Sequence, residues 1–293
     1  MAASPDAAGT SAGELRMSAF VQKLAAAWER NDSLVCVGLD PEIERIPALI
    51  AGQASPIFQF NRAIIDATAD LVCAYKPQIA HYAAYEAEDQ LERTIEYVHQ
   101  RYPGIPVILD AKRGDVGHTA KRYAIEAFER YGADAVTVNP YLGFDSLEPF
   151  LEYESKGVFV LCRTSNPGAR DLQDLKIEGR PLYQVVAELA AKQWNGRGNC
   201  ALVVGATYPE ELARVRALAP QMPFLVPGVG AQGGEVAQVV ERGQTASGTG
   251  LIISSSRAIL YAGQGLEFSD AARGAAQSLR ESINRQRRAS VSI

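Results

Sequence analysis

Histidine and cysteine are scarce in this sequence, three and four respectively among 293 residues, and neither type gathers into a pattern. His81, His99 and His118 share no metal-ligand spacing, and no Ser-His-Asp set is suggested, so the sequence implies neither a metal site nor a hydrolytic triad. Cys36, Cys73, Cys162 and Cys200 form no CxxC pair. Three lie in the apolar runs LVCVGL, LVCAY and VFVLC, and the fourth, in NCALVV, leads into another. That placement predicts buried thiols, and with them a reducing, cytoplasmic location. No apolar run reaches the roughly 18 residues needed to cross a bilayer. The opening MAASPDAAGTSAGE lacks the basic and apolar regions of a secretory signal. Basic excess is also missing: 29 Lys and Arg against 34 Asp and Glu leave a net charge of −5. Without a basic stripe, nucleic acid is not an expected partner, and an anionic ligand would need a local positive site.

What the sequence does have is repetition. Short apolar runs recur at 34–40 (LVCVGLD), 71–79 (LVCAYKPQI), 107–112 (VILDAK), 135–140 (AVTVNP) and 158–165 (VFVLCRTS). Three more follow at 201–207 (ALVVGAT), 224–230 (FLVPGVG) and 251–256 (LIISSS), which makes eight. Runs of nearly unbroken hydrophobicity are the mark of strands buried on both faces. Segments of helical periodicity separate them, such as 89–102, with Leu91, Ile95, Tyr97 and Val98, and 119–132, with Tyr123, Ala124, Ala127 and Phe128 before Gly132. Strand–helix alternation repeated eight times predicts an α/β fold, a single (β/α)8 TIM barrel. A doubly wound open sheet is the alternative, weakened because no GxGxxG follows the first run. An extra helix is expected over 15–31, ahead of the first strand. The barrel domain is expected over 14–285, between disordered tails at 1–13 and 286–293. The segment 242–250 reads as a polar, glycine-rich loop.

Barrels carry their active sites at the C-terminal ends of the strands, and several runs here end in groups that a core would not select. In DAKRGDVGHT (110–119), alternation puts Asp110 and Lys112 on one face and Arg113 on the other, with Asp115 in the turn. The carboxylates keep the ammonium charged, and a carboxylate beside a bound anion disfavours the ground state. A buried salt bridge would use the same residues, and Asp115 could simply cap the next helix. Lys76 ends an otherwise apolar run, with Pro77 holding it extended. Asp40, before Pro41, could equally be a turn residue. PGVGAQGG (227–234), followed by Arg257 in SSSRAI, suits the phosphate-binding loops found after strands 7 and 8. A surface ion pair is the plain reading of Arg257. Thr164, Ser165 and Asn166 suit a heterocycle edge, or only an Asn-Pro-Gly turn.

Taken jointly, VGLDP, AYKPQIAHY, DAKRGD, RTSNPGA, PGVGAQGG and SSSRAI resemble the orotidine 5′-phosphate decarboxylase family over about residues 34–262, in family order. The likeness is to its longer-chain bacterial branch with the DxKRGD signature. Val116 departs mildly from the isoleucine common there. The resemblance implies cofactor-free decarboxylation to uridine 5′-phosphate through Lys76, Asp110, Lys112 and Asp115, with no metal. Lys112 would protonate C6, Asp110 would press on the substrate carboxylate, and Asp115 would hold Lys112. Asp40, Lys76 and Thr119 would contact the ribose, Ser165 the pyrimidine edge, and Gln232 with Arg257 the phosphate. It also implies a homodimer in which Asp115 and Thr119 reach the partner's site. Two rivals share parts of the pattern. A magnesium-dependent sugar-phosphate barrel such as a hexulose-phosphate synthase has a DxKxxD motif but no use for Lys76. A non-catalytic nucleotide-binding barrel would not need Lys112 with both aspartates.

Overall fold

The apolar runs are too short for core helices and too apolar for an exposed surface, and they satisfy both constraints as central strands of a covered parallel sheet. A computed structural model describes residues 17–229 and 235–291, with side chains through Arg287. Its strands are β1 (Val35–Leu39), β2 (Ala74–Pro77), β3 (Ile108–Arg113), β4 (Ala135–Val138), β5 (Gly157–Arg163), β6 (Cys200–Val204), β7 (Phe224–Pro227) and β8 (Leu251–Ser255). They pair in parallel in the order β2-β1-β8-β7-β6-β5-β4-β3. Bridges at Tyr75–Val107 and Gln78–Asp110 then join β2 to β3 and complete the circle, so the sheet is a TIM barrel rather than an open one. Strands β1, β2, β4, β6 and β8 are buried throughout. Strand β3 leaves the core over its last three residues.

Helices fill the crossovers and turn their apolar stripes inward. Glu88–Arg101 buries Leu91, Thr94, Ile95 and Val98, the spacing of one helical face. The extra N-terminal helix is Ala19–Arg30, opened by Ser18, whose Oγ accepts from Val21 N at 3.3 Å. It seats Phe20 edge-on to Phe159 at 5.7 Å between centroids, where Gly157 leaves room that a Cβ would fill. His99, on the helix Glu88–Arg101, places its Nε2 2.9 Å from Asp134 Oδ2, and Asp134 also takes Lys23 at 2.9 Å and Val107 N at 2.8 Å. Burial pushes the Asp134 carboxyl up, but the His99 hydrogen bond and the Lys23 charge bring it down to about 2. All four cysteines are buried free thiols. The last helix runs Phe268–Val291, past residue 285, where a tail was expected. Arg287 ties it down, donating to Gly248 O at 2.8 Å and Asp32 Oδ1 at 3.1 Å. Among the described residues, no helix is long and apolar enough to cross a membrane.

At the N-terminal end of the barrel a buried arginine closes the connections around β7 and β8. Arg216 donates to Gly243 O (2.7 Å), Ala219 O (3.0 Å), Met222 O (2.7 Å) and Gly250 O (3.0 Å), and its Cζ lies over the Phe224 ring, 3.6 Å from the centroid. These carbonyls have no water to turn to. Arg216→Met is therefore expected to lower unfolding free energy by about 3 kcal/mol or more, measured by denaturant melts. A loss under about 1 kcal/mol would show that other donors satisfy those carbonyls.

Candidate active site

The strand ends predicted to carry chemistry converge on one cavity of about 670 Å³, lined by Asp40, Lys76, Asp110, Lys112, Ser165 and Arg257 among others. A cavity of about 720 Å³ at the opposite end, lined by Val21, Trp28 and Met222, has no comparable array of strand-end charges. Asp110 stands at the centre of the first. Its Oδ1 accepts from Lys112 Nζ at 2.7 Å and Thr137 Oγ1 at 2.8 Å, and its Oδ2 accepts from Lys76 Nζ at 3.1 Å. Lys76 Nζ lies 3.8 Å from Asp40 Oδ1, too far for a hydrogen bond, and that oxygen is buried without another partner. Ser256 Oγ, which with the other Asp40 oxygen stands over Gly38, is likewise buried and unpartnered. Two such groups at a cavity wall are fitted to receive ligand hydroxyls.

Alternation predicted that Asp110 and Lys112 share a face, and they do meet, but not along a regular strand. β3 pairs with β4 at Leu109–Val136 and next at Arg113–Val138, so it bulges between. Lys112 sits there at φ 47°, a left-handed conformation that costs a non-glycine residue about 1–2 kcal/mol. Arg113 turns to the other side and binds Glu126 at 2.9 and 3.0 Å. Gln78 at the end of β2 completes the setting: with its amide oriented to satisfy both ends, Oε1 accepts from Lys112 Nζ at 3.0 Å and the nitrogen donates to Asp110 O.

Charge in this cluster is set by competition. Burial pushes the Asp110 carboxyl up, but Lys76, then Lys112, with hydrogen bonds from Lys112 and Thr137, hold it well below the usual carboxylate range. Burial pushes Lys76 down, but Asp110 and then Asp40 hold it above the usual lysine range. Both groups stay ionised, and the ammonium of Lys112, its side chain 44% exposed, is the one that reaches the open cavity.

The remaining candidates stand around the rim. Asp115 does not cap the following helix, Gly117–Ile125; its Oδ1 accepts from Val116 N at 2.8 Å, and among the described residues no ion pair joins it to Lys112. Thr119 is exposed on the same helix. Arg257 is exposed just after β8 and has no carboxylate partner among the described residues. Ser165 lies across the cavity on the β5 loop, beside Thr164, which Gln173 braces through Oε1 at 2.8 Å from the Thr164 N. Gln232 lies outside the described residues; the glycine-rich segment is described to Val229, with Gly228 at φ 94°. Among the described residues no three His, Cys, Asp or Glu side chains gather as a metal site. Thr137, Gln78, Gln173 and Ser256 went unread in the sequence, where a threonine in a strand or a glutamine after one carries no signal.

Comparison with known proteins gives these features a context. The profile of the family described as orotidine 5′-phosphate decarboxylase / HUMPS matches residues 33–271. Over 268 residues the chain is 60% identical to the orotidine 5′-phosphate decarboxylase of Cupriavidus necator, covering 92% of this chain and 98% of that one. It is 61% identical to the Ralstonia pickettii protein of the same name over 268 residues, covering 92% and 99%. The solved OMP decarboxylase of Leishmania donovani superposes with a TM-score of 0.80 at 42% identity, covering 92% and 99%.

The folded state favours ionised Asp110. Its contribution to stability is thus fully present above the unfolded carboxylate pKa of about 3.9 and is lost as pH falls below it. Lys76 behaves oppositely: its contribution is present below about pH 10.4 and is lost as pH rises beyond. In thermal melts between about pH 5 and 3, Asp110→Asn should start less stable than wild type yet lose stability less steeply on acidification. Equal slopes would mean that Asp110 is not held ionised.

Proposed function

The chain belongs to the orotidine 5′-phosphate decarboxylase / HUMPS family, and from that we propose that it converts orotidine 5′-phosphate to uridine 5′-phosphate and carbon dioxide, a step of pyrimidine nucleotide synthesis. It is a carboxy-lyase. The observation that carries the reading is the Lys112 ammonium, held 2.7 Å from Asp110 and backed by buried Lys76, at the floor of an open cavity.

The chemistry follows from charge. The bond between C6 and the carboxylate carbon breaks, carbon dioxide leaves, and the electron pair stays on C6, where the ring offers no ordinary electron sink. A fixed ammonium beside that carbon stabilises the pair without reorganising, and then gives it a proton. Lys112 is left neutral and regains its proton from water. Asp110, ionised and unable to move, faces the substrate carboxylate, so repulsion there is relieved as carbon dioxide departs. Asp40 and Lys76, with Thr119, take the ribose hydroxyls; the unpartnered Asp40 Oδ1 supports this. Ser165 reads the pyrimidine edge. Arg257, with Gln232, takes the phosphate, whose binding energy holds the ring against Lys112. The protein works as a homodimer: Asp115 and Thr119 act in the partner's site, Asp115 bracing the partner subunit's Lys112. Exposed Val116, Tyr141, Leu142 and Phe144, apolar groups in the connections that follow β3 and β4, support a face that another copy covers. No cofactor or metal takes part. A magnesium-dependent sugar-phosphate reaction fits less well, since Lys76 occupies the carboxylates a cation would need.

The test follows loss of orotidine 5′-phosphate absorbance with EDTA present and nothing added. Wild type should turn over unimpaired, and Lys112→Ala should fall by about 10³-fold or more while uridine 5′-phosphate binding persists. Turnover that EDTA abolishes, or a Lys112→Ala variant as fast as wild type, would overturn the reading.

A further inference from the structure

Between the rungs Leu109–Val136 and Arg113–Val138, β3 has three residues, Asp110, Ala111 and Lys112, where β4 has one, Thr137. The excess must bulge, and a bulge leaves backbone N–H groups with no ladder carbonyl opposite. Thr137 supplies the missing acceptor from its side chain. Its Oγ1 accepts from Ala111 N at 3.0 Å and from Lys112 N at 2.9 Å. Its own proton goes to Asp110 Oδ1 at 2.8 Å, the oxygen that Lys112 Nζ grips. A hydroxyl has one donor and two acceptor positions, and all three are used. At 1% exposure, Thr137 meets no bulk water that could take its place.

Two facts give this arrangement a consequence. Lys112 is held at φ 47°, and a non-glycine residue stays there only where its surroundings over-determine it. The N–H of Lys112 itself is one of the two that Thr137 receives. We propose that Thr137 is a positioning residue for the reaction: its hydroxyl fixes the bulge that aims the Lys112 ammonium and, through the same atom, the carboxylate oxygen that ammonium holds. The inference rests on the decarboxylase reading above. It separates from a packing role because valine has threonine's shape and an equal liking for strands, so a residue that only fills space tolerates Thr137→Val.

The experiment compares kcat and KM for orotidine 5′-phosphate, and the Kd of uridine 5′-phosphate, in full-length wild type, Thr137→Val and Thr137→Ser. Thr137→Val should lose about 10²-fold in kcat with product affinity within about threefold, and Thr137→Ser, which keeps the hydroxyl, should recover most of the loss. The inference is overturned if Thr137→Val keeps kcat within about threefold of wild type, if Thr137→Ser is as slow as Thr137→Val, or if product affinity falls in step with kcat. Should Thr137→Val be recovered unfolded, Thr137→Ser against Thr137→Ala is judged by the same criteria. Absence of decarboxylation by wild type defeats the functional reading; the ratio of variant to wild type decides the role of Thr137.

Discussion

Asp110 is a carboxylate taken almost out of water, and everything around it makes that tolerable. One ammonium, Lys76, meets Oδ2 from the next strand, and a second, Lys112, meets Oδ1 from two residues along its own. A lone carboxylate in that position would take up a proton, and a lone buried lysine beside it would lose one. Together they stay charged, and the desolvation that makes each expensive strengthens the attraction between them. The rest of the cavity is organised from this pair outward. Asp40 sits beyond Lys76 with an oxygen to spare, and Gln78 and Thr137 fix the two ends of Lys112.

The barrel contributes rigidity of a kind that loops could not. Asp110, Lys76 and Asp40 come from three different strands, or the first residue past one, so their separations are set by strand spacing and register. Lys112 is the exception, since its reach depends on a local departure from the strand. The pattern is a stiff frame with one strained element at the open side of the cavity, and strain of this kind clusters at active sites.

How much of this the sequence discloses depends on whether a residue is out of place in its surroundings. Lys76, Asp40, Asp110 and Lys112 stand at the ends of apolar runs, where a core would have chosen otherwise, and the eight runs themselves announce a covered parallel sheet. Alternation along β3 pointed to the right pairing of Asp110 with Lys112, although the chain achieves it through a bulge that alternation does not describe. Thr137 was invisible because threonine is ordinary in a strand; its importance comes from three residues opposite it that sequence spacing does not reveal. The bond from His99 to Asp134 carries no sequence signal, because the two lie 35 residues apart. Asp115 was expected to hold Lys112, but within one chain it binds its own neighbour, Val116 N.

The seam between β2 and β3 is held by two isolated bridges, whereas every other pair of adjacent strands shares a ladder. Backbone hydrogen bonds cross it from Tyr75 N to Pro106 O and from Ile79 N to Asp110 O, and the side-chain bond from Lys76 to Asp110 spans the same gap. A lightly stitched line of the cylinder is therefore the place where its opposite charges meet. Any fluctuation that parts these two strands also parts the ions, so the barrel cannot open along this line and keep its reactive arrangement. Integrity of the fold and readiness of the site become one variable there, and the ion pair serves as a clasp on the cylinder as well as a fixture of its mouth.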